Sequence, residues 1–232
     1  WASSLLAALQ FLTRLPLPAR MPDGPGVFRR STVFFPLAGL AIGAVIAGAG
    51  ALAELAFPFY VSGAFALAAW VIVTGGLHLD GLMDTADGLF SNQPRERMLE
   101  IMKDSRSGAM GVIAAVLVLL AKGALLAALL ADAGRSHFTL LALIPVWSRA
   151  FVVLAIAGWP YARSVPGVGS LHRSAGIRHV IAAGLLAACL SVPLLTWAGG
   201  FGMTEAAGFL ALLAALAYGT GAVLAAAVSR KL

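Results

Sequence analysis

The chain has 232 residues, 60% of them hydrophobic and only 11% charged, with a mean hydropathy of +0.93. These values lie far outside the range of water-soluble globular domains and exclude one. A net charge of +6 suits nucleic acid in principle, but here the cations alternate with long apolar stretches, so a membrane is the expected partner and nucleic acid is not.

In chain order, residues 1–13 are apolar, too short to span, and lack a basic leading segment, so they read as an interfacial or re-entrant helix rather than a signal peptide. Stretches long enough to cross a hydrocarbon core of roughly 30 Å follow near 32–56, 59–79, 109–131, 138–158, 177–198 and 203–228. The expected architecture is therefore all-α: a polytopic membrane bundle of about six transmembrane helices, with a cytoplasmic helix between spans two and three. It forms a single catalytic domain over 1–232, with no linker to a second one. Gly39 and Gly43 have the spacing of close helix contact. The first residue is Trp, so the native start is expected to precede it. The single cysteine, Cys189, is expected to be a small core residue.

Thirteen of the sixteen basic residues fall on one side of these spans: Arg14, Arg20, Arg29 and Arg30; Arg95, Arg97, Lys103 and Arg106; Arg163, Arg173 and Arg178; Arg230 and Lys231. Arg135 alone falls on the other. The positive-inside bias makes the first side cytoplasmic and puts both termini there.

The segment GGLHLDGLMDTADGLF, residues 75–90, sits on that side and holds Asp80, Asp84 and Asp87. Helical residues advance about 100° each, so this spacing gathers three carboxylates within a sector of roughly 60°. No Lys or Arg occurs from 31 to 94, and like charges so placed call for a divalent cation. The alternative, a solvated helix face, normally mixes signs.

Downstream, a helix is expected to start near Pro94 and end around 104–108, with Glu96, Glu100 and Asp104 at successive i+4 positions and Arg97 and Lys103 flanking. Glu96 and Arg95 read as an ordinary salt-bridged surface. Asp104 with Ser105, Arg106, Ser107 and Gly108 differs: a helix N-terminus with free N–H groups beside Arg106 suits a phosphate, and Asp104 offers a further oxygen to the cation. Lys122 and Arg149 fall mid-span, where ionisable groups are costly and mark function by default. With only Glu54 and Glu205 inside the spans, near their opposite ends, a bound pyrophosphate would satisfy both cations. His78 lies nearly opposite the aspartate face and reads as a structural or supporting residue; His137 reads as interfacial. His172 and His179 share a basic, Gly- and Ser-rich stretch suited to a nucleotide or to lipid headgroups. Asp132 with Arg135 reads as a surface turn.

From these residues alone the chain reads as a membrane protein with a cytoplasm-facing cation site beside Arg and Lys. That fits phosphoryl transfer between a nucleotide and a membrane-associated acceptor. A divalent cation channel or transporter would instead place its carboxylates along a midplane pathway.

FLTRLPLP (11–18), FPLAGLAIG (35–43), GGLHLDGLMDTADGLF (75–90), RERMLEIMKDSRSGAMG (95–111) and LLAKG (119–123) resemble, in order and spacing, the cobalamin synthase family, the adenosylcobinamide-GDP ribazoletransferases of vitamin B12 assembly. Past Arg149 the likeness rests on Ser148-Arg149 and Tyr161-Ala162-Arg163. The resemblance implies a magnesium-dependent exchange at the inner membrane. A ribose hydroxyl of α-ribazole or its 5′-phosphate attacks the cobinamide-side phosphorus of adenosylcobinamide-GDP, and GMP leaves. It implies Mg2+ on Asp80, Asp84, Asp87 and Asp104, one of which also takes the hydroxyl proton. Arg14, Lys103, Arg106, Lys122 and Arg149 would bind the diphosphate or the departing GMP. The expected partners are those two substrates and membrane lipids, with oligomer formation allowed. The family pattern continues into a further acidic motif that this chain, ending at Leu232, does not contain, so a cytoplasmic terminal segment is expected beyond it. The runner-up family, the CDP-alcohol phosphotransferases, carries Asp-Gly-x-x-Ala-Arg after its first acids, where this chain has Asp84-Thr-Ala-Asp87-Gly.

Overall fold

The structure is a computed structural model that describes residues 1–17, 24, 26–131, 136–159, 171–172 and 174–229. Arg20, the Asp132–Arg135 turn, most of the basic stretch after span four, and Arg230 and Lys231 lie outside the described residues. Among the described residues ten α-helices follow one another: α1 (Ala2–Leu12), α2 (Val27–Ser31), α3 (Phe35–Glu54), α4 (Phe59–Thr74), α5 (Leu77–Leu89), α6 (Arg95–Ile101), α7 (Ala109–Leu130), α8 (Ser136–Gly158), α9 (Ile177–Pro193) and α10 (Met203–Ser229). No strand occurs among the described residues.

Five helical stretches are long and apolar enough to cross a membrane: Val27–Glu54, Ala109–Leu130, His137–Gly158, Ile177–Ala198 and Met203–Ala226. A sixth exists only if α4 and α5 are counted together. The second expected span, read as continuous over 59–79, is thus corrected. It stops at Thr74 and bends by 85° into α5. The cause is local. Gly75 and Gly76 both take left-handed backbone, φ 62° and 70°, which only glycine adopts at little cost. The Gly76 N–H donates to Val71 O at 2.9 Å and the Gly75 N–H to Ile72 O at 3.0 Å. That pair of bonds closes α4 as a Schellman cap.

Packing follows small residues. On α3 a Cβ at Gly43 would stand 2.7 Å from Ala142 Cα, and one at Gly39 2.8 Å from Val146 Cα. The expected close-contact role of these glycines is what the fold shows: α3 and α8 meet backbone to backbone. Around this seam Ile42, Ile46, Trp70, Leu126, Leu130 and Leu141 form one buried cluster joining α3, α4, α7 and α8. A second, with Ala8, Leu12, Phe35, Val153 and Ala183, ties α1 and α9 to the same pair. The outer surfaces of α7 and α10 keep Leu117, Leu120, Leu125, Leu212, Leu216 and Leu224 exposed, as a lipid-facing bundle requires. Cys189, expected in the core, is exposed instead.

The short α1 performs one further task. The segment after it reaches the α4–α5 break, where the Arg14 N–H donates to Val73 O at 2.7 Å. The Arg14 side chain fills the space that a Cβ on Gly75 would occupy, with Cγ at 2.7 Å.

Because no side chain fits the α3–α8 seam, Gly43→Val is expected to destabilise the protein by about 2–3 kcal/mol through overpacking. Thermal unfolding in detergent should show a clear drop in Tm. An unchanged Tm would mean the seam opens readily.

Candidate active site

The three acids of residues 75–90 do lie on one helix, α5. With glycines inside it at Gly81 and Gly88, α5 has weak intrinsic propensity and is held by packing against α6 and α7. Gly88 provides close approach: a Cβ there would meet the Met102 side chain, Cγ at 2.6 Å. Asp80 is exposed in the first turn, favourable for an anion near a helix N-terminus. Asp84, one turn on, is half-buried.

Asp87 is placed differently. Its Oδ2 accepts the Gly108 N–H at 2.7 Å and its Oδ1 the Gly111 N–H at 2.7 Å. The N-terminus of α7, expected to offer free N–H groups to a phosphate, is thus occupied at these two positions by the chain's own carboxylate. Gly108 has no side chain with which to cap the helix, so an acid 21 residues earlier does so. Charge-assisted capping of this kind contributes on the order of 1–2 kcal/mol.

The helix predicted between spans two and three is shorter than expected. It starts after Pro94, which serves as N-cap, and ends at Ile101. Arg97 and Glu100 pair at 2.8 Å on its exposed face, an ordinary surface bridge. Asp104 turns onto Arg106 rather than towards α5. Arg106 Nε donates to Oδ1 at 3.0 Å and Nη2 to Oδ2 at 2.7 Å, and the Arg106 backbone N–H also donates to Oδ1 at 3.0 Å. These bonds with Arg106 hold the Asp104 carboxyl at about 2, below its ordinary value of 3.8. Lys103 and Arg106 are both exposed.

Magnesium can be weighed against this arrangement. Among the described residues no three His, Cys, Asp or Glu side chains are grouped so as to hold a metal ion, and the structure does not bring the four carboxylates together as one cage. Mg2+ does not need one. It commonly takes one or two carboxylates, several waters and substrate phosphate oxygens. Asp80 and Asp84, hard oxygen donors one turn apart with Asp80 open to solvent, fit that mode.

A second group of residues gathers at the α4–α5 break. The Lys122 ammonium from α7 sits over the Trp70 ring, 3.5 Å from its centroid, a contact worth roughly 0.5–2 kcal/mol. The His78 ring lies 6.4 Å from that of Trp70, and His78 Nδ1 is 3.3 Å from Thr74 Oγ1. Arg149 from α8 is 8% exposed and acts electrostatically on both Lys122 and His78. Its one side-chain hydrogen bond to a described residue is from Nη1 to the neighbouring Ser148 Oγ at 3.2 Å. Ion pairs among the described residues are Arg97–Glu100, Arg106–Asp104 and His137–Glu54, so neither the half-buried Lys122 nor the buried Arg149 pairs with a described acid. Trp70 Nε1 and His78 Nε2 are also buried without a hydrogen-bond partner. Together with Arg14 over Gly75, this makes a polar, cationic region.

Sequence reasoning named Lys122 and Arg149 but missed Trp70 and Thr74. The signal was a Trp four residues before a Thr and eight before a His on one turn-periodic face, hidden by the apolar run around it. Three histidines are placed by the fold. His137 is buried, its ring tilted against that of Phe138 with centroids 4.0 Å apart. His172 is buried among Phe11, Phe28 and Phe35; burial pushes its pKa down, and its ring faces this aromatic cage. His179 accepts the Gly176 N–H at 3.1 Å as part of the start of α9.

Because the Asp104 carboxyl is depressed in the folded protein, its bond to Arg106 is complete above the ordinary carboxylate value and is lost as pH falls through about 2. Carboxyl-resolved NMR titration should give an inflection near that value in the wild type and a return towards about 3.9 in Arg106→Ala. An unshifted wild-type titration would contradict the pairing.

A family model described as cobalamin-5-phosphate synthase matches residues 4–232. The chain is 44% identical over 167 residues to the adenosylcobinamide-GDP ribazoletransferase of Brevibacillus brevis, covering 72% of this chain and 66% of that protein, just under two thirds. It is 40% identical over 210 residues to the enzyme of the same name from Desulfitobacterium hafniense, covering 90% and 83%. With that of Pseudomonas aeruginosa the figures are 42% over 214 residues, covering 92% and 80%. No solved structure matches.

Proposed function

Because the chain belongs to the cobalamin-5-phosphate synthase family, we propose that it joins adenosylcobinamide-GDP to α-ribazole or α-ribazole 5′-phosphate, releasing GMP and forming adenosylcobalamin or its 5′-phosphate. The observation that carries the site assignment is the half-buried Lys122 and the buried Arg149 at the α4–α5 break, neither with a carboxylate partner among the described residues. A diphosphate supplies the missing negative charge, and the acids of α5 stand on the helix that leaves this same break.

In this reading Lys122, Arg149 and Arg14 bind the diphosphate of adenosylcobinamide-GDP. The ribose hydroxyl forms a new bond to the cobinamide-side phosphorus, and the bond from that phosphorus to the bridging oxygen breaks, so the electron pair leaves with GMP. Fixed cations in a low-dielectric bundle stabilise the charge that develops on the departing phosphate. Asp80 and Asp84 would hold Mg2+, which would supply Lewis-acid neutralisation of the diphosphate charge. A carboxylate of the α5 face accepts the hydroxyl proton. Lys103 and Arg106, in the exposed segment after α6, attract the anionic substrate from the aqueous side.

The positive-inside distribution supports a reading with the α5–α6 side at the cytoplasm, in a multi-pass inner-membrane protein with both ends of the chain inside. In that reading the GDP-linked substrate reaches the break from the cytoplasmic side.

Purified protein in detergent should release GMP only when adenosylcobinamide-GDP, the ribazole acceptor and Mg2+ are all present. Asp80→Asn and Asp84→Asn should each lower kcat on the order of 100-fold or more. Undiminished turnover in both variants would remove the proposed acidic site. GMP release without the acceptor would make the chain a hydrolase.

A further inference from the structure

The arrangement around Asp87 separates it from the other acids of α5. Each of its oxygens receives a backbone N–H from the start of α7, at 2.7 Å in both cases. The two donors are glycines for a steric reason. A Cβ on Gly108 or on Gly111 would meet the Asp87 carboxylate, with Asp87 Cγ at 2.8 and 3.0 Å respectively, and at Gly111 it would also stand 2.9 Å from Met83 O. The sequence G-A-M-G therefore leaves a socket shaped for this carboxylate. A metal on Asp87 would have to compete with two strong donors and with the dipole of a 22-residue helix.

The other end of α5 is fixed to α4 through two left-handed glycines and their cap bonds. The bonds to α7 fix the far end, and Asp80 and Asp84 are carried on the helix between. We propose that Asp87 is a positioning residue: it locks α5 onto the first turn of α7, and Asp80 with Asp84 hold the divalent cation without it. This rests on the metal reading given above for α5.

The test uses the purified full chain, with Mn2+ as the probe of the cation site. Asp87→Asn should lower the Tm of metal-free protein by about 3 °C or more. It should lower kcat at least tenfold at saturating substrate and metal, yet leave the Mn2+ Kd within about threefold of wild type by electron paramagnetic resonance. Gly111→Ala should reproduce all three effects, because it expels the carboxylate without altering its chemistry. Asp80→Asn should do the reverse, weakening Mn2+ at least tenfold at unchanged metal-free Tm. A tenfold loss of Mn2+ affinity in Asp87→Asn with unchanged metal-free Tm would make Asp87 a ligand and overturn the proposal. So would a lowered Tm with full kcat, which would make it structural only. Should neither variant fold, hydrogen exchange on the wild type decides: the Gly108 and Gly111 amides should be equally protected with and without Mg2+, and deprotection by Mg2+ would overturn the proposal. A wild type that binds no Mn2+ would overturn the metal reading itself, and the wild-type titration tells the two failures apart.

Discussion

Two cations inside an apolar bundle, the half-buried Lys122 and the buried Arg149, have no carboxylate partner among the described residues, and they constrain this structure more than any other feature. Burying an unpaired charge costs several kcal/mol even after relaxation, and a chain with about 10 kcal/mol of total stability does not retain two such charges without a use for them. The face of Trp70 offsets part of the cost for Lys122. Arg149 has a neighbouring serine hydroxyl. The remainder is a standing preference for a bound anion. On the proposed reading, the group that meets this preference is the diphosphate of the substrate.

The break between α4 and α5 turns that preference into a site. Were 59–89 one straight helix, the acids of α5 would continue along the membrane normal, away from the buried cations. Two glycines in left-handed backbone redirect the chain by 85°, and Arg14 packs over the first of them. The result is a cationic region on one side of the bend and an acidic helix starting from it. Phosphoryl transfer needs both signs, one to bind the substrate's charge and the other to hold a metal and receive a proton.

Much of this was legible in the sequence. The spans announced themselves by length and hydropathy, Gly39 and Gly43 by their spacing, and Asp80, Asp84 and Asp87 by a periodicity that only a helix makes meaningful. What was not legible depended on contacts between distant segments. Nothing local marks Gly108 and Gly111 as donors to a carboxylate 21 or more residues away, so the α7 N-terminus read as free N–H groups and the contact with Asp87 went unseen. Gly75-Gly76 read as the tail of a span because hydropathy averages over a window and is blind to backbone handedness. His172 read as a nucleotide contact from its basic neighbours; its burial among three phenylalanines comes from α1, α2 and α3, which no window around residue 172 contains.

The account stands or falls on whether the buried cations receive a diphosphate. Isothermal titration of inorganic pyrophosphate into the detergent-solubilised protein asks this directly, without requiring turnover. Wild type should bind it, and Lys122→Met and Arg149→Met should each weaken binding about tenfold or more, the loss expected for a charge-assisted contact, while keeping the wild-type Tm or raising it by relieving the mutual repulsion. Equal affinity in all three proteins would contradict the assignment and leave Lys122 and Arg149 as structural charges.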